Sequence, residues 1–343
     1  MQFDATMPRD DRIMNTESGE PPHPAVTGSL VATMHPISVR GQVKRVHAWR
    51  MDDIVVVVTG SVIRVAEVFD AYWLEAHRLP EPRSILQRLR TVAGGPDLFT
   101  FTQRAPDTQP MFDFHLDWAN VAAIPVSSHA EWLEKQISKT SRRNVRTSVK
   151  RGVVVRVSPF EEKYIRGVMS ISDESPVRAG RRYPHYGKDF ATVEAEQGTY
   201  RDRSTYLGAY VDDEMIAYMK IVWDRRTAAV MQIVSKTAFL DRRPNNALLS
   251  EAVRLCAERG VDYLLYERFV YGNKAGSSLT RFKRENGFVR MDLPRYYVPL
   301  TMKGRLALWL GLNKNVKDRL PEWLTARLLQ VRGRWYARQD DAE

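Results

Sequence analysis

The stretch STYLGAYVDDEMIAYMKIVWDRRTAAVMQIVS, residues 204–235, leaves this chain few architectures to choose from. Three runs of β-branched, aromatic and small apolar residues are separated by the polar pairs Asp212-Asp213 and Asp224-Arg225, which is the pattern of an antiparallel meander with tight turns. A helix follows through PNNALLSEAVRLCAERG, with Pro244 at a first helical position and Gly260 as its stop. VDYLLYERF then reads as a strand, SSLTRFKRENGF as a short helix closing on Gly287, and VRMDLPRYYVPL as a last strand.

Upstream of the meander, Ser127 or Ser128 can cap one helix through SSHAEWLEKQISKTSRRNVRTSVKRGV. Its apolar face is Trp132, Ile137, Thr140 and Val145, and Gly152 ends it before a strand at 153–157. The resulting order is helix, strand, helix, meander, helix, strand, helix, strand. That is an α/β (α+β) fold on a mixed sheet, antiparallel at its centre.

Residues 1–30 carry proline, serine, glycine and acids without periodicity and read as a disordered tail. A smaller α/β unit, 31–127, comes next. KRVHAWRMDDIVVVVTG gives two strands about a turn at Met51-Asp52-Asp53, VIRVAEVFDAYWLEAH and PRSILQRLRTVAG read as helices, and DLFTFTQR and FDFHLDW read as strands. The main unit covers 128–300. Residues 301–343 form a basic amphipathic extension containing Trp309, Trp323 and Trp335, which suits either an anionic membrane surface or packing on its own domain.

No apolar run approaches the roughly 20 residues that span a bilayer, and the polar N-terminus is unlike a signal peptide, so the expected location is the cytoplasm. The lone cysteine, Cys256, shares a helical face with Leu249 and Val253 and reads as a core thiol. No cysteine or histidine spacing suits a metal, and neither a zinc-finger spacing nor a basic zipper points to DNA. The formal charge of +11 favours anionic partners: nucleic acid, phosphorylated metabolites or an acidic membrane face. Much of it lies in the helix after Ser128, where Lys135, Lys139, Arg142, Arg143, Arg146, Lys150 and Arg151 have no expected acidic partner one turn away.

The order of elements, with a meander feeding a long helix and a close on strand, helix, Gly-Phe and strand, resembles the GNAT acyltransferase fold over about 128–300. WLEKQISKTSRRNVRTSVKRGV and SSLTRFKRENGF are similar to the basic helix and the Leu-x-x-Phe-Lys of the Fem-type branch. Those transferases attach amino acids to peptidoglycan precursors. The resemblance implies that residues 31–127 are a reduced first GNAT-like half, and that Lys283 stands beside a phosphate or carboxylate. It also implies a donor that is acyl-CoA or aminoacyl-tRNA, with no tightly bound cofactor.

The donor turn departs from the GNAT pattern. Glycines there let backbone N–H groups close on a diphosphate, whereas this chain has RRPNNA: Asn245 replaces a glycine and Pro244 supplies no N–H. Arg242, Arg243, Asn245 and Asn246 are the donor-binding candidates, and the change of turn favours aminoacyl-tRNA or another carrier over acetyl-CoA. Pro244 is equally a plain helix start.

Acyl transfer to an amine needs a base, an oxyanion donor and an acid for the leaving group. The candidate bases are Glu174, Glu267 and His185, and the candidate acid is Tyr271. Glu267 reads either as a base in the cleft or as a partner of Arg268. The segment DESPVRAGRRYPHYGKD, 173–189, crowds Arg178, Arg181, Arg182 and Lys188 with Tyr183, His185 and Tyr186 into a fixed loop. In the GNAT order it walls the acceptor site, with cations for an anionic or lipid-linked acceptor, Tyr186 for stacking and His185 for a proton relay; otherwise it is a charged surface loop. The leading reading is an N-acyltransferase acting on an anionic acceptor in cell-envelope or surface-polysaccharide synthesis. The alternative is a non-catalytic RNA- or membrane-binding module on a decayed transferase fold.

Overall fold

The computed structural model describes residues 30–313, apart from 40–41, 76–78, 80, 93, 179–180 and 272–275. The expected tail and most of the C-terminal extension, including Trp323 and Trp335, lie outside the described residues.

A single 12-stranded sheet runs through the molecule. Its first flank comprises β1 (Val31–Val39), β2 (Gln42–Met51), β3 (Ile54–Thr59) and β4 (Val65–Val68), followed by α1 (Pro82–Arg90), β5 (Leu98–Thr102) and β6 (His115–Pro125). The second flank opens with α2 (His129–Glu131), a π-turn (Trp132–Gln136), α3 (Lys139–Lys150), β7 (Val154–Val157) and α4 (Glu162–Ser172). A two-residue ladder, β8 (Val177–Arg178) with β9 (Arg181–Arg182), and α5 (Phe190–Gly198) lead into the meander β10 (Ser204–Val211), β11 (Glu214–Trp223) and β12 (Thr227–Ser235). The chain continues through α6 (Pro244–Arg259), β13 (Tyr263–Leu265), α7 (Ser278–Glu285), β14 (Val289–Pro299) and α8 (Met302–Trp309).

The strand order is β1-β2-β3-β4-β5-β14-β6-β13-β12-β11-β10-β7. All neighbours are antiparallel except β4 with β5 and β12 with β13. Each flank is therefore an antiparallel meander, then a helix, then a strand laid parallel to the meander's last. The last strand of each flank crosses to the other side: β14 lies between β5 and β6, and β6 pairs with both β14 and β13.

Alternation along β11 assigns the two faces of the second flank. Ala217, Met219 and Ile221 join the core under α6, whereas Tyr218 packs with Tyr164, Ile165 and Val168 of α4. Trp132 is wholly buried in the first of these cores, and its Nε1–H donates to the carbonyl of Asn286 at 3.0 Å. Cys256 is buried there too, and burial pushes its thiol up to about 12, which makes it an inert core group.

Four expectations give way. The helix expected over 62–77 is absent from its described residues, 62–75: Val65–Val68 is a strand with Ala66 and Val68 in the core, and turns follow it. The helix after Ser128 is broken, because Ile137 is extended and Ser138 starts a new helix whose Ser141 N–H it caps at 3.0 Å. On that helix Thr140 is exposed, and Ser141 and Ser148 fill the buried face. Lys135 does have a partner one turn away, Glu131 at 3.9 Å. β1, α5 and the short β8–β9 ladder were not foreseen; α5 is capped by Asp189, which accepts from Thr192 N–H at 2.8 Å.

Candidate active site

β12 and β13 pair over Thr227↔Tyr263, Ala228↔Leu264 and Ala229↔Leu265, and there the ladder ends. β12 runs on to Ser235, while the chain leaving β13 turns towards β6, with Tyr266 N–H donating to the carbonyl of Ala122 and Ala122 N–H to that of Glu267. The two strands therefore part. Glu267 sits at that lip, exposed, with a left-handed φ of 41° that side chains other than glycine seldom adopt.

The strained residue is held from both sides. Lys283, wholly buried, donates from Nζ to the carbonyls of Tyr266 and Arg268, each at 2.7 Å, and so brackets Glu267. Its ammonium lies over the Tyr266 ring at 4.1 Å and near that of Tyr271 at 5.2 Å. Burial pulls its pKa down to about 8, against the opposing charge of Glu267. Tyr271 donates its hydroxyl to the Glu267 carboxylate. Burial first, and then that carboxylate, raise the phenol's pKa, so it stays protonated. Val270 N–H donates to Asn120 Oδ1 of β6 at 2.8 Å, and Tyr72 from the first flank hydrogen-bonds the Glu267 backbone.

At the far end of β12, Glu174 accepts from the N–H groups of Thr237 at 2.6 Å and Ala238 at 2.9 Å. Arg178 reaches the same carboxylate at 3.2 Å, donates to the carbonyl of Ser235 at 2.9 Å and lies over the Tyr183 ring at 4.8 Å. Burial opposes ionisation of Glu174, but the two N–H groups and the guanidinium outweigh it and its pKa is lowered. This pair fastens the 173–189 segment to the end of β12. Farther along the segment, Lys188 donates to Glu196, and His185 Nδ1 is 3.4 Å from the same carboxylate. Arg182 and Tyr186 are exposed; Gly180 and the Arg181 side chain lie outside the described residues.

At the start of α6, Arg243 is left-handed, with φ 58°. The N–H groups of Asn246 and Ala247 both go to its carbonyl, at 3.1 and 3.3 Å, and Pro244 has none, so the turn has little backbone left for a diphosphate. Arg242 donates to the carbonyl of Arg151 at 2.7 Å, and Arg151 pairs with Asp241 at 2.6 Å. Asn246 Nδ2 donates to Asn286 Oδ1 at 2.8 Å, and Asn245 Oδ1 is buried with no partner among the described residues.

The structure thus brings Glu267, Tyr271 and Lys283 together, and separately Glu174 with Arg178, His185 with Lys188, and Arg242 with Arg243. Sequence reasoning missed Glu196, Tyr72 and Lys220. Lys220, wholly buried, donates to the carbonyls of Gln197 and Thr199 at the end of α5, at 2.8 and 2.5 Å. The one signal was a single lysine inside the apolar run of β11.

Residues 137–284 match the acetyltransferase (GNAT) domain family. No curated protein sequence matches the chain. Among solved structures, FemX is 9% identical with a TM-score of 0.53, over 82% of this chain and 90% of FemX. The C-terminal domain (DUF2156) of a putative lysylphosphatidylglycerol synthetase from Agrobacterium fabrum is 13% identical with a TM-score of 0.49, over 80% of this chain and 87% of that one. At these identities the likeness to FemX is one of fold.

Proposed function

We propose that this GNAT-type chain is an N-acyltransferase in which Glu267 and Tyr271 form one proton relay. The acceptor nitrogen attacks the activated carbonyl, the new N–C bond forms and the bond to the carrier breaks. Glu267 takes the nitrogen's proton, Tyr271 gives its own to the leaving sulfur or oxygen, and the hydrogen bond between them returns Tyr271 to its starting state. Lys283 is the positioning residue, because its bonds to the carbonyls on either side of Glu267 hold the left-handed backbone in place. The observation that carries this reading is the parting of β12 from β13 with that pair at its lip.

On this reading the 173–189 segment, pinned to β12 by Arg178, borders the acceptor, and exposed Arg182 and Tyr186 meet an anionic group on it. A lipid-linked or nucleotide-linked amine of cell-envelope or surface-polysaccharide synthesis fits that description, and the chain works in the cytoplasm. Two donors compete. The domain family speaks for acyl-CoA, with Arg242 and Arg243 meeting its phosphates. The crowded start of α6 speaks for aminoacyl-tRNA, and so does a stripe on α3: Lys139, Arg143, Arg146 and Lys150 are exposed at helical spacing, without an ion-pair partner among the described residues.

The deciding experiment incubates the purified chain with acyl-CoA and charged tRNA pools and identifies the acylated amine by mass spectrometry. Transfer retained in full by both Glu267→Gln and Tyr271→Phe would sink the assignment. Phosphate contacts by the four stripe residues predict a log–log salt slope of about −3 for RNA binding; RNA binding that ignores salt removes the tRNA version. RNA binding by the wild type, with no transfer to any amine, would favour the non-catalytic alternative, which rests on the same stripe.

A further inference from the structure

Helix α8 carries its bulk on the outside. Gly304 and Ala307 face the sheet, where a Cβ at Gly304 would run into the carbonyl oxygen of Asp97, so only small residues fit. The large apolar residues point away: Met302, Leu306, Trp309 and Leu310, spaced i, i+4, i+7 and i+8, are 74%, 55%, 81% and 50% exposed, and Leu312, just past the helix end, is exposed as well. The platform is anchored. Thr301 Oγ1 accepts from Gly304 N–H at 3.0 Å and donates to Asp97 at 3.0 Å, and Leu300 N–H donates to the carbonyl of Asp97 at 2.9 Å. Lys303 and Arg305, both exposed, flank the stripe.

We propose that α8 docks the protein on an anionic lipid bilayer, with the stripe entering the boundary between headgroups and acyl chains and Lys303 and Arg305 meeting lipid phosphates. A run of apolar surface this continuous, rimmed by cations, marks an interaction site. A second copy is a poor occupant: an eight-residue helix is about 12 Å long, and its stripe falls far short of the about 800 Å² that each partner of a stable dimer buries. The segment 314–343 suits it less than lipid does, since it carries seven Lys or Arg against five Asp or Glu and gains nothing in charge from a basic-rimmed helix. Both are drawn to the same anionic surface. No helix among the described residues is long and apolar enough to cross a membrane, so the attachment is peripheral. The inference does not depend on the transferase reading.

Flotation of the full chain with phosphatidylcholine vesicles, alone or with about a quarter phosphatidylglycerol, tests it. Wild type is expected to float with the mixed vesicles. Met302→Ser/Leu306→Ser/Trp309→Ser is expected to cut partitioning at least about tenfold, with little change in the melting curve because these side chains are mostly exposed. Lys303→Gln/Arg305→Gln should remove the preference for anionic lipid. Equal flotation by the triple variant overturns the proposal. So does a wild type that stays in solution, whether it sediments as a dimer that the triple variant dissociates or as a monomer in which amide exchange shows 302–312 covered by the rest of the chain.

Discussion

Two helices in this protein follow a meander and begin on a proline, α1 at Pro82 and α6 at Pro244, and their first turns are opposites. Before α1 stands Glu81, whose carboxylate accepts from Ser84 N–H at 3.1 Å, so that helix end already has its anion. Before α6 stands Arg243, with no side-chain acceptor and a second arginine beside it. The strands beyond differ in the same sense. β5 leads into stacked aromatics, Phe101 on Tyr296 at 4.9 Å, while the chain after β13 turns outward and presents a carboxylate, a phenol and a buried ammonium. One layout of strands thus yields a filled flank and an open one, and side chains at a few positions decide which.

The harshest way to break this contrast is at Glu267. Glu267→Gln should lower acyl transfer about 10²- to 10⁴-fold with the melting temperature unchanged, and a drop of less than threefold would remove the open flank's chemistry. Next is the packing beneath the open flank: Trp132→Ala should cost about 3–5 kcal/mol in denaturant unfolding, since the indole is wholly buried in the core under α6 and its N–H is bonded. Copying the closed end onto the open one is the sharpest comparison. Arg243→Glu should weaken donor binding about ten- to hundredfold by titration calorimetry, the range for lost charge-assisted hydrogen bonds, and leave the fold intact.

Smaller effects are read by pH. The Lys220 ammonium sits at about 8 in the folded chain against 10.5 when free. Between those values the unfolded chain holds the extra proton, so stability should rise with pH across that window, and Lys220→Met should flatten the rise in urea titrations. Glu174 gives a rise of the same sign at lower pH. Its folded pKa lies below 4.5, so its contribution is full above that value and lost as pH falls through the folded one. Glu174→Gln should remove that acid limb.

The meander was legible because Asp212-Asp213 and Asp224-Arg225 interrupt runs that alternation alone makes strands, and α6 was legible from its proline and closing glycine. What escaped was set at longer range. Val65–Val68 fits a helical pattern as well as a strand pattern, and only its place between β3 and β5 decides. The break at Ile137 follows from seating Trp132 and Ile137 in one core. At the site, residue types at 267, 271 and 283 could be singled out, but the left-handed turn that joins them depends on a lysine sixteen residues farther on, which no local pattern announces.

The crossing of β14 has a consequence for how the protein is made. On a ribosome adding about 5–20 residues per second, β5 and β6 emerge long before residues 289–299, the neighbour that completes both. Until then each shows an open edge, a hazard for pairing with a stranger. The first flank does not close its ladder until residues 289–299 have been synthesised, and a fragment stopped at residue 127 would keep those edges for good.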